Sequence, residues 1–174
     1  VFMLLKILFC LCIVLQIIFV PLFLKAQWPG ICRKSLFFKM ICATSFLSMG
    51  VLSMNMANNK STYAIMMLVG LVFGWFGDLF LHLNNSQKAF GTGFCSFLIG
   101  HIVYIIAYVK TLPIVNMDYN HFNFIEIAVV VLIYAIGLVL VKVFKINFSI
   151  GLLKFGCIIY GGLLAAMFVK ASSL

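Results

Sequence analysis

The chain has 174 residues, of which 66% are hydrophobic, 16% are aromatic and only 9% are charged. Soluble domains carry about 25% charged residues, so this composition excludes an ordinary soluble globular domain. Twelve Lys and Arg residues against three acidic residues give a formal net charge of +9, and the mean hydropathy is +1.25. We therefore expect a lipid bilayer to be the solvent for nearly the whole chain.

The apolar runs are long and continuous, which favours helices over an outer-membrane barrel of short alternating strands. The predicted fold class is all-α, a polytopic helical membrane protein with one domain and about six spans. The predicted spans cover residues 4–24, 35–56, 63–83, 90–109, 122–141 and 150–169. The first run is too long for a signal-peptide core of about 7 to 15 residues, so we expect it to remain as a span.

The connections between spans carry most of the polar residues. Residues 84–88 form a short polar turn, which predicts that spans three and four are antiparallel neighbours. The chain starts without methionine and stops just after a span, so we expect it to be incomplete at its C-terminus. Five of the six cysteines lie in apolar segments and are interpreted as packing residues, while Cys32 falls in a loop.

The cations occur singly or in short groups beside the spans and are not interleaved with aromatic residues. This distribution indicates anionic lipid headgroups as counter-ions and no nucleic-acid partner. Cations after spans one, three and five are Lys25, Arg33, Lys34, Lys88, Lys142 and Lys145, against Lys6, Lys60, Lys110 and Lys170 on the other side. By the positive-inside rule, this small bias places both termini away from the cytoplasm.

Asp78 is the main candidate for chemistry, because an ionisable group within a span costs at least about 2.5 kcal/mol and normally faces the bundle interior. Gly70, Gly74 and Asp78 are four residues apart and share one helix face, where small residues allow another helix to approach. Desolvation there would favour the neutral carboxylic acid, a proton donor. The alternative is a carboxyl group that only links two helices by a hydrogen bond.

His82 follows Asp78 by one helical turn, so a carboxylate–imidazole hydrogen bond is sterically easy. Its position near the membrane boundary would explain it equally well. The helix has no second His or Cys at a spacing that completes a metal site, and a zinc hydrolase needs about three protein ligands. The sequence thus implies neither a metal nor another cofactor.

Span four carries two stripes at helical spacing. Gly93, Gly100 and Ala107 recur every seven residues and predict a packing stripe. The other stripe can line a cavity or form an aromatic packing face, and consists of Phe90, Phe94, Phe97, His101, Tyr104 and Tyr108.

Three further charged residues lie within or at the edges of spans. Lys39 lies one turn inside span two and would extend its ammonium to the interface. Glu126 starts span five, where the positive end of the helix favours a carboxylate. Lys154 is also expected to be interfacial.

One motif connects spans three and four. An apolar helix ends in Gly77 and Asp78, a short turn follows, and a regular series begins with Phe90 and Gly93. The series continues through Phe97, His101 and Tyr104. This pattern resembles the lysoplasmalogenase family, also called the YhhN-like family of multi-span membrane proteins. Lys39 also fits a family lysine in span two, although Met40 stands where the family usually has proline.

The resemblance implies hydrolysis of the vinyl ether of a lysoplasmalogen to a fatty aldehyde and a glycerophospho-base. It implies Asp78 as proton donor, and His101 and Tyr104 as groups that orient water or polarise oxygen. It further implies that Lys39 holds the substrate phosphate and that Phe97 and His82 contribute to substrate binding. The expected partners are a lysophospholipid and the bilayer, in a membrane such as the endoplasmic reticulum.

The sequence also departs from the family pattern. Family members usually have more spans and a second aspartate in a Ser-Asp motif, and no acidic residue follows Glu126 here. A non-catalytic lipid-binding or transport homologue is therefore the alternative. A proton-conducting role is disfavoured, because three acidic residues hardly supply a chain of ionisable groups. Glycine-rich faces would also support a homo-oligomer.

Overall fold

The computed structural model describes residues 2–28, 32–58, 61–83, 87–111, 122–143 and 151–172, and their regular structure is helical throughout. This confirms the predicted all-α fold class. A π-helical turn, Ala107–Thr111, continues the fourth helix. The helices in chain order are α1 (Phe2–Gln27), α2 (Arg33–Met56), α3 (Thr62–Leu83), α4 (Gln87–Ile106), α5 (Phe124–Val143) and α6 (Gly151–Ser172).

Within these described ranges, five helical segments are long and apolar enough to cross a bilayer, namely α1, α2, α3, Lys88–Val109 and α5. In α6, the apolar stretch Ile158–Ser172 is shorter. Large apolar side chains such as Ile17 and Val131 lie on outward faces, as expected of helices surrounded by lipid. The chain is therefore an integral membrane protein. Most of the predicted turn at 84–88 and the Lys154 side chain lie outside the described residues.

The helices form two compact units, Val1–Gly100 and His101–Leu174. The first unit contains α1, α2, α3 and most of α4. The second contains the last turns of α4, the π-helical turn, α5 and α6, and α6 contacts the π-helical turn. Each unit is compact by itself, and the expected single membrane domain stays a prediction.

A polar contact inside the first unit joins α1 to α2. The side-chain nitrogen Nε2 of Gln16 donates to the carbonyl oxygen of Cys42 and to Ser45 Oγ, both at 2.7 Å. Ser45 is buried. An amide in an apolar span needs such partners, because water is absent there to satisfy it. Gln16 therefore fixes the rotation of α1 against α2.

Glycines allow α3 and α4 to approach closely, which confirms the predicted adjacency of spans three and four. A Cβ atom on Gly93 would lie 3.0 Å from the carbonyl oxygen of Gly77, and one on Gly100 would lie 3.1 Å from that of Gly70. Between these two points, Ser96 Oγ donates to the carbonyl oxygen of Phe73 at 2.6 Å. Small residues at the contact are typical of helix pairs in membranes.

Candidate functional site

An ion pair between α2 and α3 is the centre of the candidate site. Lys39 Nζ lies 2.9 Å from Asp78 Oδ1, and the two side chains are 18% and 28% exposed. Both residues lie within membrane-spanning helices, where charged side chains are rare and usually functional. The pair gives each charge an opposite partner at short distance.

His82 extends this cluster along α3. Its Nδ1 lies 3.2 Å from Lys39 Nζ, and its Nε2 lies 2.9 Å from Oε1 of Gln27. The Phe23 ring closes one side, with its centroid 5.9 Å from that of the His82 ring and 5.8 Å from Lys39 Nζ. His82 is 8% exposed, although it lies in the last turn of α3. We call these residues, Gln27, Phe23, Lys39, Asp78 and His82, the α1–α3 cluster.

Local sequence explains how three helices place these side chains together. Asp78 and His82 are four residues apart and therefore share one face of α3. Gln27 ends α1 and Lys39 lies in the second turn of α2, so both come from the side of the bilayer where the α1–α2 connection lies. Because consecutive spans alternate in direction, the C-terminal end of α3 reaches the same side. The cluster consequently lies near one membrane boundary.

The structure changes the interpretation of Asp78 and Lys39. The sequence predicts a desolvated carboxyl group, whereas the structure places the Lys39 ammonium 2.9 Å from Asp78 Oδ1. Lys39 directs its ammonium to α3 and does not simply extend to the interface. Asp78 does link two helices, as the simpler interpretation expected, but through a charged partner. Gln27 and Phe23 have no motif and were missed by the sequence analysis.

Phe97, predicted to contact substrate, packs between α4 and α3. A Cβ atom on Gly77 would lie 2.6 Å from the Phe97 ring, and one on Gly74 would lie 4.0 Å from it. Gly77, directly before Asp78, and Gly74, about one turn earlier, therefore leave space for this ring. The position makes Phe97 a support for this part of α3, while substrate contact stays a prediction.

His101 and Tyr104, the other two predicted catalytic residues, belong to the second unit. The His101 ring makes edge contacts with two tyrosine rings, with centroid distances of 6.1 Å to Tyr104 and 5.2 Å to Tyr160. Tyr160 comes from α6 and joins this aromatic group only through the tertiary fold. Of the predicted site residues, the structure thus brings together Lys39, Asp78 and His82 in one group, and His101 and Tyr104 in another.

A second ion pair joins α5 to α6. Lys170 Nζ lies 3.2 Å from both carboxylate oxygens of Glu126, and the side chains are 0% and 8% exposed. Glu126 Oε2 also accepts from the backbone N–H of Asn123 at 2.9 Å, which fits its expected role at the helix start. Lys170 is one of the cations for which the sequence predicts lipid headgroups as counter-ions. In the structure its ammonium is instead buried with Glu126 and lies 5.4 Å from the Phe122 ring centroid.

Comparison with known proteins agrees with the motif in α3 and α4. The model of the YhhN family matches residues 34–174, which include Lys39, Asp78 and His82 and leave out Gln27. No curated protein and no solved structure gives a significant match. Since the match covers most of the chain and includes both charged groups of the α2–α3 ion pair, the chain belongs to the YhhN family.

Proposed function

We propose that this chain is an integral membrane hydrolase that cleaves the vinyl ether bond of lysoplasmalogens. The carrying observation is the Lys39–Asp78 ion pair at 2.9 Å beside His82, near one membrane boundary. Family membership supports the reaction class, and the apolar spans suit an amphiphilic substrate that enters from the bilayer. An endomembrane such as the endoplasmic reticulum is proposed on the family resemblance alone.

Lys39 is proposed to bind the phosphate of the lysolipid. An ammonium is a compact point charge and a common phosphate ligand. Near the boundary, the headgroup would compete with Asp78 for Lys39, since both offer anionic oxygens to the same nitrogen. A phosphate bound to Lys39 would replace Asp78 as the partner of the ammonium and leave the Asp78 carboxyl group available for the reaction. Substrate binding would in this way prepare the acid that the reaction needs.

The chemical steps require one proton donor and one water molecule. Protonated Asp78 gives its proton to the β-carbon of the enol ether, and the C=C electron pair forms the new C–H bond. The resulting oxocarbenium ion is captured by water, whose proton returns to the Asp78 carboxylate. The hemiacetal then collapses to the fatty aldehyde and the glycerol hydroxyl. The net reaction consumes one water molecule and regenerates Asp78.

The remaining predicted residues receive supporting roles. His82 would hold Lys39 near the headgroup, and Phe97 would support the part of α3 that carries Asp78. His101 and Tyr104 are proposed to orient water or polarise the ether oxygen, a role that rests on the family motif. A lipid-binding homologue that binds the same lysolipid without cleaving it is the competing function.

Release of fatty aldehyde from a lysoplasmalogen by the purified full chain tests the proposal. Asp78→Asn should reduce the rate at least about 100-fold, since general acid catalysis contributes about 10²- to 10⁴-fold. Asp118→Asn makes the same chemical change at an acidic residue outside the proposed machinery and should retain activity. Full activity in a folded Asp78→Asn protein would exclude Asp78 as the donor. Lysolipid binding with no aldehyde from the wild-type chain would favour the lipid-binding homologue.

Two substitutions at Lys39 distinguish the effect of its charge from the effect of its side-chain shape. Lys39→Met removes the ammonium and should raise KM for the lysolipid more than it lowers kcat. Lys39→Arg keeps a cation and should recover part of the affinity. Equal KM values for the wild type and Lys39→Met would exclude Lys39 as the phosphate ligand.

A further inference from the structure

We infer that Gln27 is a positioning residue that holds His82 as the neutral tautomer with hydrogen on Nε2, and that His82 in turn fixes the Lys39 ammonium beside Asp78. Gln27 lies on α1, outside the segment matched by the YhhN family. The tautomer follows from contacts within the first unit. Its consequence for lysolipid binding rests on the proposed function.

The tautomer follows from the donors and acceptors around the His82 ring. A lysine ammonium only donates hydrogen bonds, so Nδ1, at 3.2 Å from Lys39 Nζ, must offer its lone pair. A neutral imidazole with an accepting Nδ1 carries its hydrogen on Nε2. That N–H then donates to Gln27 Oε1 at 2.9 Å. An imidazolium would direct an N–H group at the ammonium and lose this contact.

The groups that face His82 from each packed helix suit a neutral ring. From α2 it meets the Lys39 ammonium, and on α3 the Asp78 carboxylate lies one turn away. From α1 it meets Phe23 and Gln27, neither of which carries a charge. The Lys39 and Asp78 charges already compensate each other at 2.9 Å. Gln27 therefore supplies an acceptor without adding a negative charge that would promote a second proton on His82.

The consequence for Lys39 is a fixed ammonium with remaining donor capacity. One of its N–H groups is directed at His82 Nδ1 and another at Asp78 Oδ1, which leaves the third for a headgroup oxygen. When a phosphate replaces Asp78 as the principal partner, the contact with His82 would keep the ammonium in place. Gln27 acts on this step only through the orientation and tautomer of His82.

Nitrogen-15 NMR of the histidine-labelled full chain in detergent micelles tests the tautomer directly, because protonated and unprotonated ring nitrogens have different shifts. A His82→Asn variant identifies the His82 signals among the three histidines. We expect an unprotonated Nδ1 and a protonated Nε2 in the wild type near neutral pH. A wild-type His82 with hydrogen on Nδ1, or on both nitrogens, would overturn the inference.

Two substitutions at Gln27 distinguish positioning from packing. Gln27→Leu removes the acceptor and should give a mixture of tautomers. Gln27→Glu keeps an acceptor opposite Nε2, so the wild-type tautomer should persist at high pH, but its charge should promote the doubly protonated ring as the pH falls. Gln16→Leu removes two hydrogen bonds from the same helix at a position away from His82 and serves as the matched control, with a smaller change in the His82 spectrum than Gln27→Leu. A wild-type spectrum in Gln27→Leu would contradict the role of Gln27.

Activity measurements keep the two proposals separable. Gln27→Leu should lower kcat/KM for the lysolipid about 10-fold or more, since misplacement by about 1 Å can cost up to about 100-fold. Gln27→Glu should recover activity at high pH and lose it as the pH falls, a change in pH profile that lost packing would not produce. The expected spectra without any aldehyde release would retain the tautomer and reject the hydrolase.

Discussion

Lys170 donates to both carboxylate oxygens of Glu126 at 3.2 Å, and these side chains are 0% and 8% exposed. The pair connects the last turn of α6 to the first turn of α5. Removing one partner of a buried ion pair typically costs about 3 to 5 kcal/mol. We therefore expect Lys170→Met or Glu126→Gln alone to lower the thermal stability strongly in detergent.

The double variant Glu126→Gln with Lys170→Met is the control for this prediction. It removes both charges, so it should be more stable than the Lys170→Met single variant. Thermal unfolding curves of the four proteins measure the coupling. If the stability loss of the double variant equals the sum of the two single losses, the two side chains do not stabilise the protein as a pair.

The Lys39–Asp78 pair should behave differently, because its side chains are 18% and 28% exposed. Near a membrane boundary water can reach such a pair, and ion pairs that water reaches contribute little, often less than about 1 kcal/mol. Asp78→Asn should thus leave the unfolding temperature nearly unchanged while hydrolysis is lost. Parallel unfolding and aldehyde assays test this, and a large stability loss would give the pair a structural role.

Gly93 should not tolerate a larger side chain, whereas Gly91 should. A Cβ atom on Gly93 would lie 3.0 Å from the backbone atoms Gly77 O and Leu81 N, which cannot move without displacing α3. Overpacking costs about 1 to 3 kcal/mol. A Cβ atom on Gly91 would meet no other described residue within 4 Å, apart from its chain neighbours and the backbone of its own helix, so Gly91→Ala should gain up to about 1 kcal/mol from helix propensity. Equal unfolding temperatures for the two alanine variants would contradict the close approach of α3 and α4.

Gln16 should stabilise the contact between α1 and α2. Its amide makes two 2.7 Å hydrogen bonds, to Cys42 O and Ser45 Oγ. Hydrogen bonds between membrane helices contribute about 0.6 kcal/mol on average and up to about 1.7. Gln16→Leu should therefore lower the unfolding temperature modestly, and Ser45→Ala by less, because the bond to Cys42 remains. An increase in stability with Gln16→Leu would show that the free-energy cost of burying the amide exceeds the contribution of its hydrogen bonds.

Cys32 precedes α2 and provides a test by pH-dependent alkylation. The pKa of the Cys32 thiol is lowered mainly by a hydrogen bond from the backbone N–H of Ser35 at 3.4 Å. The Ser35 side chain and the nearby Lys34 lower this pKa further. The reactive thiolate should consequently form below the ordinary value of about 8.5. Ser35→Ala removes the hydroxyl and keeps the N–H, so the alkylation midpoint should move part of the way upward.

Mass spectrometry can follow this alkylation at Cys32 across a pH series, with Cys32→Ser as the blank. A midpoint at or above the ordinary thiol value in the wild-type chain would contradict the stabilisation by Ser35. An unchanged midpoint in Ser35→Ala would assign the effect to the backbone N–H and to Lys34.

The site shows what a single sequence can and cannot indicate. Asp78 and His82 were identified together because helical periodicity alone places residues four apart on one face. The motif residues His101 and Tyr104 were identified by resemblance, and their predicted roles stay predictions. Gln27 was missed, because a glutamine at the end of an apolar span has no distinguishing pattern and its partner His82 lies 55 residues away.

Composition and hydropathy define the solvent and the secondary structure of this protein. A composition with 66% hydrophobic residues requires lipid, and lipid requires a backbone whose hydrogen bonds are satisfied within helices. Both properties depend on composition and on the length of apolar runs, and the linear sequence shows these directly.

The partners of the charged side chains depend on how the helices pack in three dimensions. Lys39 meets Asp78 and His82, and Glu126 meets Lys170 across 44 residues, because the helices pack with particular rotations about their axes. Hydropathy does not specify these rotations, since apolar side chains cover most faces of each span. The few polar side chains and the close contacts at glycines select the rotation, and they act only after the helices have come together.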